Sequence, residues 1–359
     1  MELNEEYCPD TAIVGLWFGL NYGSILSAFA LYKAVEEMGF KPVFLNKPVG
    51  FWDKKFADPD NIAGSFIHKN CYVSPEFYDG ETLFRFTSKR KNFIAGSDVL
   101  WNYKICGKEA GGFFFLDFVP DYKNKISYAS SFGGGFQAPA DVTTHTKELL
   151  TRIPNRSVGD SKALEIMNLQ FNLDAECVLD PLFLTNCYSS LSKKCTNEPY
   201  IFTYMENCDS QKRKMIYKAM EIRGCKAVNY TDINNYDAAS KKYGMKVEWP
   251  VRVEEWVQRI RDAEYVITDS WSAMCMAIIF EKPFLVLAPR QLSDISRYYS
   301  ILDVLDLRER LVYVEEDMAN YYYLLRKPIK YMLVNKKLEV YRNQSKEWLF
   351  SHLNSSTQR

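Results

Sequence analysis

Residues 11–46 read TAIVGLWFGLNYGSILSAFALYKAVEEMGFKPVFLN, and this stretch decides the fold. It starts with a short apolar run that is typical of a strand, TAIVGLW (11–17), and the loop FGLNYG follows. Apolar residues then recur at helical spacing in SILSAFALYKAVEEMG (24–39), whose last glycine is a typical helix stop. The run PVFLN (42–46) predicts a second strand. A strand, a helix and a strand in this order predict a βαβ unit, which begins a parallel sheet.

The same alternation continues along the chain after one interruption. Residues 50–90 are rich in Phe, Tyr, Asp and Lys, and we interpret them as an insertion of short helices and loops over the sheet edge. From about residue 315 the pattern is helical. Further runs typical of strands are NFIAG (92–96), KISYASS (125–131), RSVGD (156–160), ECVLDP (176–181), EPYIFTYM (198–205), KAVNY (226–230), EYVIT (264–268) and PFLVLA (283–288).

This order predicts an α/β protein with two Rossmann-like domains that face each other across a cleft, followed by a helical C-terminal tail. We expect the first domain at 1–195, including the insertion, the second at 196–335 and the tail at 336–359. A length of 359 residues fits two domains of ordinary size.

The composition argues against several classes of protein. Lys and Arg total 45 and Asp and Glu total 45, so the formal net charge is zero, unlike that of a general nucleic-acid-binding protein. No apolar run approaches the roughly 20 residues that cross a bilayer. Nine cysteines without a C-x-x-C pair, and the acidic start MELNEEYCPD in place of a secretory signal, predict reduced thiols in a cytoplasmic protein.

Polar residues follow five of the predicted strands. In parallel sheets, ligands bind at the carboxyl ends of the strands, where loops gather and helices begin. Helix capping or chain turning explains each junction taken singly, but together they line one predicted cleft. The junctions are Asn21-Tyr22-Gly23, Gly96-Ser97-Asp98, Ser130-Ser131-Phe132-Gly133, Ser157-Val158-Gly159-Asp160 and Asp269-Ser270-Trp271-Ser272.

The sequence predicts neither a metal site nor a bound cofactor. His68, His145 and His352 are scattered without the spacing of metal ligands. The glycines of the first loop do not form the G-x-G-x-x-G fingerprint of dinucleotide-binding proteins.

Several motifs occur in the order seen in the polysaccharide pyruvyl transferase family, which the chain resembles from about Thr11 to residue 312. They are NYGSILSAFALYKAVEEMGF, FIAGSDVLWN, FFLDFVPDYKNKISYASSFG, SVGD with VLDP, and YVITDSWSAMCMAIIFEKPF. The resemblance implies the two-domain fold of B-type glycosyltransferases. It also implies transfer of a pyruvyl group from phosphoenolpyruvate, as co-substrate, onto two hydroxyls of a sugar in exopolysaccharide or capsule biosynthesis. The implied acceptor is a saccharide or lipid-linked glycan, with peripheral contact to a membrane-bound acceptor.

The chain departs from the family pattern at two places. Family members usually read D-S-F-H-G or S-R-L-H-G where this chain has DSWSA (269–273), so Ser272 replaces the histidine. They commonly read S-V-R-E where it has SVGD (157–160), so Gly159 replaces the arginine. The reaction needs cations for the phosphate and carboxylate and a general acid for the methylene carbon. A serine hydroxyl cannot supply that proton.

Other residues of the same loops are candidates for these roles. The catalytic candidates are Asp98, Asp160, Asp269 and Tyr128, together with Ser272 at the histidine position. Arg290 and Arg297 are the candidates to hold the phosphate or the carboxylate. The remaining predicted substrate-binding residues are Asn21, Tyr22, Gly23, Gly96, Ser97, Trp101, Asn102, Ser130, Phe132, Gly133, Ser270 and Trp271.

Two alternatives to a pyruvyl transferase stay open. The chain could be a B-type glycosyltransferase that uses a nucleotide sugar, which predicts binding of a nucleoside diphosphate in the second domain. It could also be a catalytically silent relative that binds a glycan without changing it.

Overall fold

The computed structural model is an α/β protein built on two parallel sheets. It describes residues 8–18, 21–46, 61–77, 80–104, 112–191, 198–233, 236–289, 291–314 and 318–355. The predicted insertion at 50–90 falls partly outside these ranges. Within them, it contains two helices, Ile62–Asn70 and Gly80–Ser88.

The first sheet has six strands in the order β2-β1-β3-β4-β5-β6, and its described pairings are parallel. Its strands are β1 (Thr11–Val14), β2 (Pro42–Phe44), β3 (Asn92–Ala95), β4 (Asn124–Ser130), β5 (Asn155–Val158) and β6 (Glu176–Cys177). Helix α1 (Tyr22–Glu37) connects β1 to β2, which confirms the predicted βαβ unit. The chain then forms β3 on the other side of β1, so a crevice opens at the carboxyl ends of β1 and β3. We call this sheet with its connecting helices the first lobe.

The second sheet has five strands in the order β11-β10-β9-β7-β8, again with parallel pairings. Its strands are β7 (Tyr200–Met205), β8 (Lys226–Thr231), β9 (Tyr265–Thr268), β10 (Phe284–Ala288) and β11 (Leu311–Tyr313). Here β8 and β9 lie on opposite sides of β7, so the corresponding crevice lies at the carboxyl ends of β7 and β9. We call this sheet with its helices the second lobe.

Helices connect the strands and cover both sheets. After α1 they are α2 (Ile62–Asn70), α3 (Gly80–Ser88), α4 (Ala140–Thr151), α5 (Ser161–Glu165), α6 (Tyr188–Leu191), α7 (Ser210–Arg223), α8 (Tyr236–Tyr243), α9 (Val253–Asp262), α10 (Trp271–Ile279), α11 (Ile295–Val304), α12 (Met318–Arg326) and α13 (Tyr331–Asn354). Helix α10 is buried along nearly its whole length, because all of its apolar faces meet other elements. Within the described ranges, no helix combines the length and the apolar character that crossing a bilayer requires.

The last helix, α13, packs back against the first sheet. Asn124 of β4 donates a hydrogen bond from Nδ2 to the backbone oxygen of His352 (2.7 Å). The Trp348 ring lies 6.2 Å from that of Tyr128, also on β4. The predicted helical tail is therefore an integral part of the first lobe's packing. The predicted domain boundaries at 195 and 335 stay predictions.

Tyr22, at the start of α1, ties the two lobes together. Its hydroxyl donates to the backbone oxygen of Val251 (2.5 Å) and accepts from the Val251 N–H (3.0 Å), ahead of α9 in the second lobe. Its ring stacks on Trp256 with centroids 4.9 Å apart. Burial raises the pKa of the Tyr22 phenol well above its ordinary value, so the hydroxyl stays protonated.

We predict that Tyr22→Phe lowers the free energy of unfolding by about 1–3 kcal/mol. The backbone N–H and the backbone oxygen of Val251 both lose their hydrogen bond to the Tyr22 hydroxyl, in a largely buried place. Urea denaturation followed by tryptophan fluorescence measures this change. Tyr217→Phe is the matched control, since Tyr217 is exposed on α7 and its change should stay within about 0.5 kcal/mol. Equal stabilities of the two variants would contradict the role given to Tyr22.

Candidate functional site

The loops at the carboxyl ends of the strands touch where the two lobes meet. In the first lobe, the Asn21 side chain caps α1 by accepting hydrogen bonds from the backbone N–H groups of Gly23 (2.8 Å) and Ser24 (3.1 Å). A Cβ atom added at Gly23 would lie 2.7 Å from the Cβ of Ser272, at the start of α10. Only glycine fits this approach, so the loop after β1 lies directly against the turn after β9.

Arg297 of α11 lies buried between two carboxylates at this junction. Its Nη2 atom is 2.7 Å from Asp98 Oδ1 and 3.3 Å from Asp180 Oδ2, and its guanidinium lies 4.6 Å from the ring centroid of Trp271. Burial opposes the charge, but the carboxylates of Asp98, Asp180 and Asp160 outweigh it and hold the pKa of Arg297 above its ordinary value. Arg297 was a candidate to hold a substrate anion, and two acidic side chains of the protein already pair with it.

Serine hydroxyls complete the hydrogen bonding of these carboxylates. Ser24 Oγ donates to Asp98 Oδ2 (2.6 Å), and Ser27 Oγ donates to Asp180 Oδ1 (3.1 Å). Ser27 also shares a hydrogen bond with Ser97 (Oγ to Oγ, 2.7 Å). Burial raises the pKa of Asp180, and the neighbouring guanidinium offsets only part of that effect. Asp98 and Ser97 thus belong to one buried network with α1.

Four predicted binding residues shape the wall of the first lobe. The Trp101 indole N–H donates to the backbone oxygen of Phe114 (3.1 Å), and Asn102 Nδ2 donates to that of Phe132 (3.1 Å). The Phe132 ring is fully buried. Gly133 has a φ of 68° and lies so close to Asn102 that an added Cβ would be 2.6 Å from its Nδ2. These side chains hold the loops in place through contacts within the lobe.

Two side chains of β4 hydrogen-bond to backbone groups of the protein, and Gly96, after β3, packs against β4. Ser130 Oγ donates to the backbone oxygen of Ala95 (3.1 Å), and the Tyr128 hydroxyl donates to that of Leu179 (3.1 Å). Burial raises the pKa of Tyr128 well above its ordinary value. A Cβ added at Gly96 would lie 2.5 Å from the backbone oxygen of Tyr128, so the end of β3 packs tightly against β4.

Asp160 and Gly159 follow β5. Asp160 caps α5 by accepting from the Ala163 N–H (2.8 Å), and it also accepts from Ser131 Oγ (2.5 Å). Gly159 stands where the resemblance expects arginine, and a Cβ added there would lie 2.8 Å from the backbone oxygen of Ala129. The backbone at this position therefore has no room for any side chain unless β4 moves.

Asp269 fixes the loops that follow β7 and β9. Its carboxylate accepts from the backbone N–H groups of Glu206 (2.7 Å) and Asn207 (3.1 Å) and from Lys212 Nζ (2.6 Å). The Tyr298 hydroxyl donates to the Asp269 backbone oxygen (2.8 Å). Lys212 and Asp269 are both nearly buried, so this ion pair fixes the second lobe's side of the junction.

The turn Ser270-Trp271-Ser272 starts α10. The two serine hydroxyls lie 3.2 Å apart (Oγ to Oγ). The Trp271 ring meets Tyr298 edge-on at 5.6 Å and lies under the Arg297 guanidinium. Its indole N–H is buried, and no hydrogen-bond partner for it lies among the residues that the structure describes. Trp271 thus packs at the lobe junction, where part of its surface faces a cavity.

That cavity has a volume of about 430 Å³ and lies between the lobes. It is bounded by Gly159, which is one of the two departures from the family pattern, by Trp271, which precedes the other at Ser272, and by Asp180. The other lining residues are Glu176, Cys177, Val178, Leu179, Phe183, Ser300, Ile301, Val304, Tyr341, Gln344, Ser345 and Trp348. Arg290, the other predicted cation, lies outside the described residues.

Glu206 is the functional candidate that the sequence reasoning missed. It directly follows β7, and its backbone N–H donates to Asp269 Oδ1 (2.7 Å). Desolvation, followed by the nearby Asp269 carboxylate, raises the pKa of Glu206 to about 8, although the residue as a whole is exposed. The signal was available, since Glu206 directly follows the strand EPYIFTYM (198–205) in the same way as Asp269 follows EYVIT (264–268).

The sequence matches the family described as polysaccharide pyruvyl transferase over residues 21–291. The match includes the strand-end loops described above. Helices α11 and α13 lie outside it. No curated protein matches the chain at a significant level.

Three solved structures illustrate the fold similarity. UGT89C1 of Arabidopsis thaliana is 10% identical, with a TM-score of 0.53 over 96% of this chain and 98% of that one. A Listeria monocytogenes protein assigned as a UDP-N-acetylglucosamine 2-epimerase is 12% identical, with a TM-score of 0.53 over 97% and 98% of the chains. MnaA of S. aureus, solved with UDP, is 14% identical, with a TM-score of 0.50 over 87% and 86%. The predicted B-type glycosyltransferase fold is confirmed.

We predict that Arg297→Met lowers the free energy of unfolding by about 3–5 kcal/mol, because Asp98 and Asp180 are left buried without their cation. Arg85→Met is the matched control, since Arg85 pairs with Glu81 at the surface and such pairs contribute only about 0–1 kcal/mol. Urea denaturation of both variants measures the difference. A similar small change in each would contradict the importance of the buried group.

We also predict that Gly159→Ala destabilises the protein by about 1–3 kcal/mol, because the new methyl group overlaps the Ala129 backbone oxygen. Gly80→Ala provides the control, since no atom lies within 4 Å of a Cβ added at that position. Thermal unfolding of the two variants compares them directly. If Gly159→Ala were as stable as the control, β4 could shift to make room for a side chain, and position 159 could accept an arginine.

Proposed function

Because the chain belongs to the polysaccharide pyruvyl transferase family, we propose that it transfers a pyruvyl group from phosphoenolpyruvate to two hydroxyls of a saccharide, forming a cyclic ketal. The proposed acceptor is a saccharide or lipid-linked glycan precursor of an exopolysaccharide or capsule, used on the cytoplasmic face of a membrane. The observation that carries the proposal is the family match over residues 21–291, which includes the loops after β1, β3, β5 and β9.

The donor is an anion with a phosphate and a carboxylate, so positive groups must receive it. Helices α1 and α10 begin where the lobes touch, and backbone N–H groups at helix starts favour anions. Lys212 and Arg297 lie in the same region, each paired with carboxylates of the protein. In this proposal, the donor binds at the lobe junction, beside the contact between the two helix starts, and competes for these cations.

A catalytically silent, glycan-binding relative is the second candidate, and two observations favour it. Ser272 and Gly159 lack the histidine and arginine that the family usually carries at these positions. Arg297, a cation that could compensate, already has two carboxylate partners. In this case the chain would bind the same class of glycan and leave it unchanged.

We expect the full-length protein, incubated with phosphoenolpyruvate and a panel of saccharides, to release inorganic phosphate and to add one pyruvyl ketal to the acceptor, as seen by mass spectrometry. Asp269→Asn should reduce the rate by about 100-fold, because it weakens the contacts that position the loops after β7 and β9. Asp237→Asn, at an exposed position on α8, should leave the rate unchanged.

Two other outcomes would count against pyruvyl transfer, and a third would count against this junction as its site. A glycan that binds and is recovered unchanged, without phosphate release, would support the silent relative. Turnover of a nucleotide sugar, with phosphoenolpyruvate inert, would identify a B-type glycosyltransferase. Equal losses in Asp269→Asn and Asp237→Asn would separate the activity from this junction.

A further inference from the structure

The cavity between the lobes has the size of a small-molecule site. Its volume of about 430 Å³ falls in the range of roughly 300–1,000 Å³ that is usual for such sites. Part of its wall comes from α10 and from the ends of β5 and β6, which lie within the family match, and part comes from α11 and α13, which lie outside it. The ligand that fits the cavity therefore depends also on two helices that the family match does not cover.

The inner wall of the cavity is apolar and aromatic. Trp271 and Trp348 are both 8% exposed, and Phe183 is fully buried. Val178 and Ile301, also buried, add aliphatic surface. Such a wall offers close contact to the apolar C–H face of a sugar ring, and it is the usual lining of a pocket that takes an organic ligand.

Polar side chains stand at the mouth of the cavity. Glu176 of β6 and Tyr341 and Gln344 of α13 line the cavity and are also exposed to solvent. Within the described parts of the chain, these three side chains make neither a hydrogen bond nor an ion pair. A carboxylate, a phenol and an amide together can accept from and donate to the hydroxyls of a ligand.

The charge of the lining disfavours an anion. Among the described residues that bound the cavity there is no lysine or arginine, whereas Glu176 and Asp180 supply carboxylates. Asp180 Oδ2 lies 3.3 Å from Arg297 Nη2, and this cation is shared with Asp98. An anionic ligand would meet the Glu176 carboxylate at the mouth without a free cation to offset it, whereas an uncharged hydroxyl can donate to that carboxylate.

We propose that the cavity binds one uncharged sugar residue of the acceptor glycan. Its role as acceptor rests on the proposed function, whereas the binding itself does not. The ring packs against Trp271 and Trp348, and its hydroxyls hydrogen-bond to the polar side chains at the mouth. Because Trp271 also contacts the Arg297 guanidinium (4.6 Å to the ring centroid), the bound sugar lies next to the junction where the anionic donor is proposed to bind.

The first test measures the binding of uncharged methyl pyranosides of glucose, galactose and mannose to the full-length protein, by saturation-transfer NMR and tryptophan fluorescence. At least one should bind saturably, with a Kd of about 1–10 mM. The matched uronic acid should bind about tenfold more weakly, because it brings a second carboxylate towards Glu176. Phosphoenolpyruvate should leave the sugar bound, since its proposed place is the lobe junction.

The second test uses exposed residues of the mouth, so the fold should be kept. Gln344→Ala should weaken sugar binding about 2–10-fold, through the loss of a hydrogen bond, whereas Asn343→Ala should not. Asn343 is its exposed neighbour on α13 and does not line the cavity. Glu176→Gln should bring the affinity for the uronic acid close to that for the uncharged sugar, and the exposed control Glu347→Gln should leave the difference unchanged.

The third test fills the cavity. Val304→Trp, at the end of α11, places a large side chain in the lining and should abolish sugar binding. Val340→Trp adds the same side chain on the exposed face of α13, where Val340 is 53% exposed, and should leave binding unchanged. Circular dichroism checks the fold of both variants. If Val304→Trp is misfolded, the variants of the mouth decide the question.

The outcomes separate this site from the proposed function. The site is overturned if no sugar of the panel binds saturably up to about 100 mM, or if Gln344→Ala and Glu176→Gln bind all ligands as the wild type does. It is also overturned if the uronic acid binds the wild type more tightly than the uncharged sugar. Sugar binding of the expected kind without ketal formation overturns the proposed function and leaves the site standing. Ketal formation with unchanged kcat/KM in Gln344→Ala and in folded Val304→Trp overturns the site alone.

Discussion

The site depends on the buried ion pairs of Arg297 with Asp98 and Asp180. The cation comes from α11 of the second lobe, and the two carboxylates follow β3 and β6 of the first. None of the three can stay buried without the others, since an unpaired charge in this setting costs several kcal/mol. The pairs therefore hold the loops of both lobes in one arrangement and place Trp271 under the guanidinium, at the start of α10.

The same junction has an unusual charge balance for a protein with no net charge. Acidic side chains outnumber cations among its described residues: Asp98, Asp160, Asp180, Glu206, Asp269 and Asp294 surround Arg297 and Lys212. Burial raises the pKa values of Asp180, Glu206 and Asp294. An anionic donor is repelled by carboxylates but not by carboxylic acids, so donor binding and proton retention should favour each other.

The two departures from the family pattern are built into the backbone packing. Ser272 lies against Gly23, where the lobes come within van der Waals contact, and Gly159 lies against the Ala129 oxygen. Neither replacement is an isolated change on an open surface. An arginine at position 159 would need β4 to move, so any chemistry of the present site must use other groups.

The sequence by itself determined the two parallel sheets, because apolar runs, helical spacing and glycine stops are local signals. It also located Asp98, Asp160 and Asp269 at strand ends, where a parallel sheet gathers its loops. Only the tertiary structure decided what these residues contact. Arg297 pairs with Asp98 across the lobes, and Lys212 pairs with Asp269. Charge pairing and desolvation arise between segments far apart in the chain, and no local pattern encodes them.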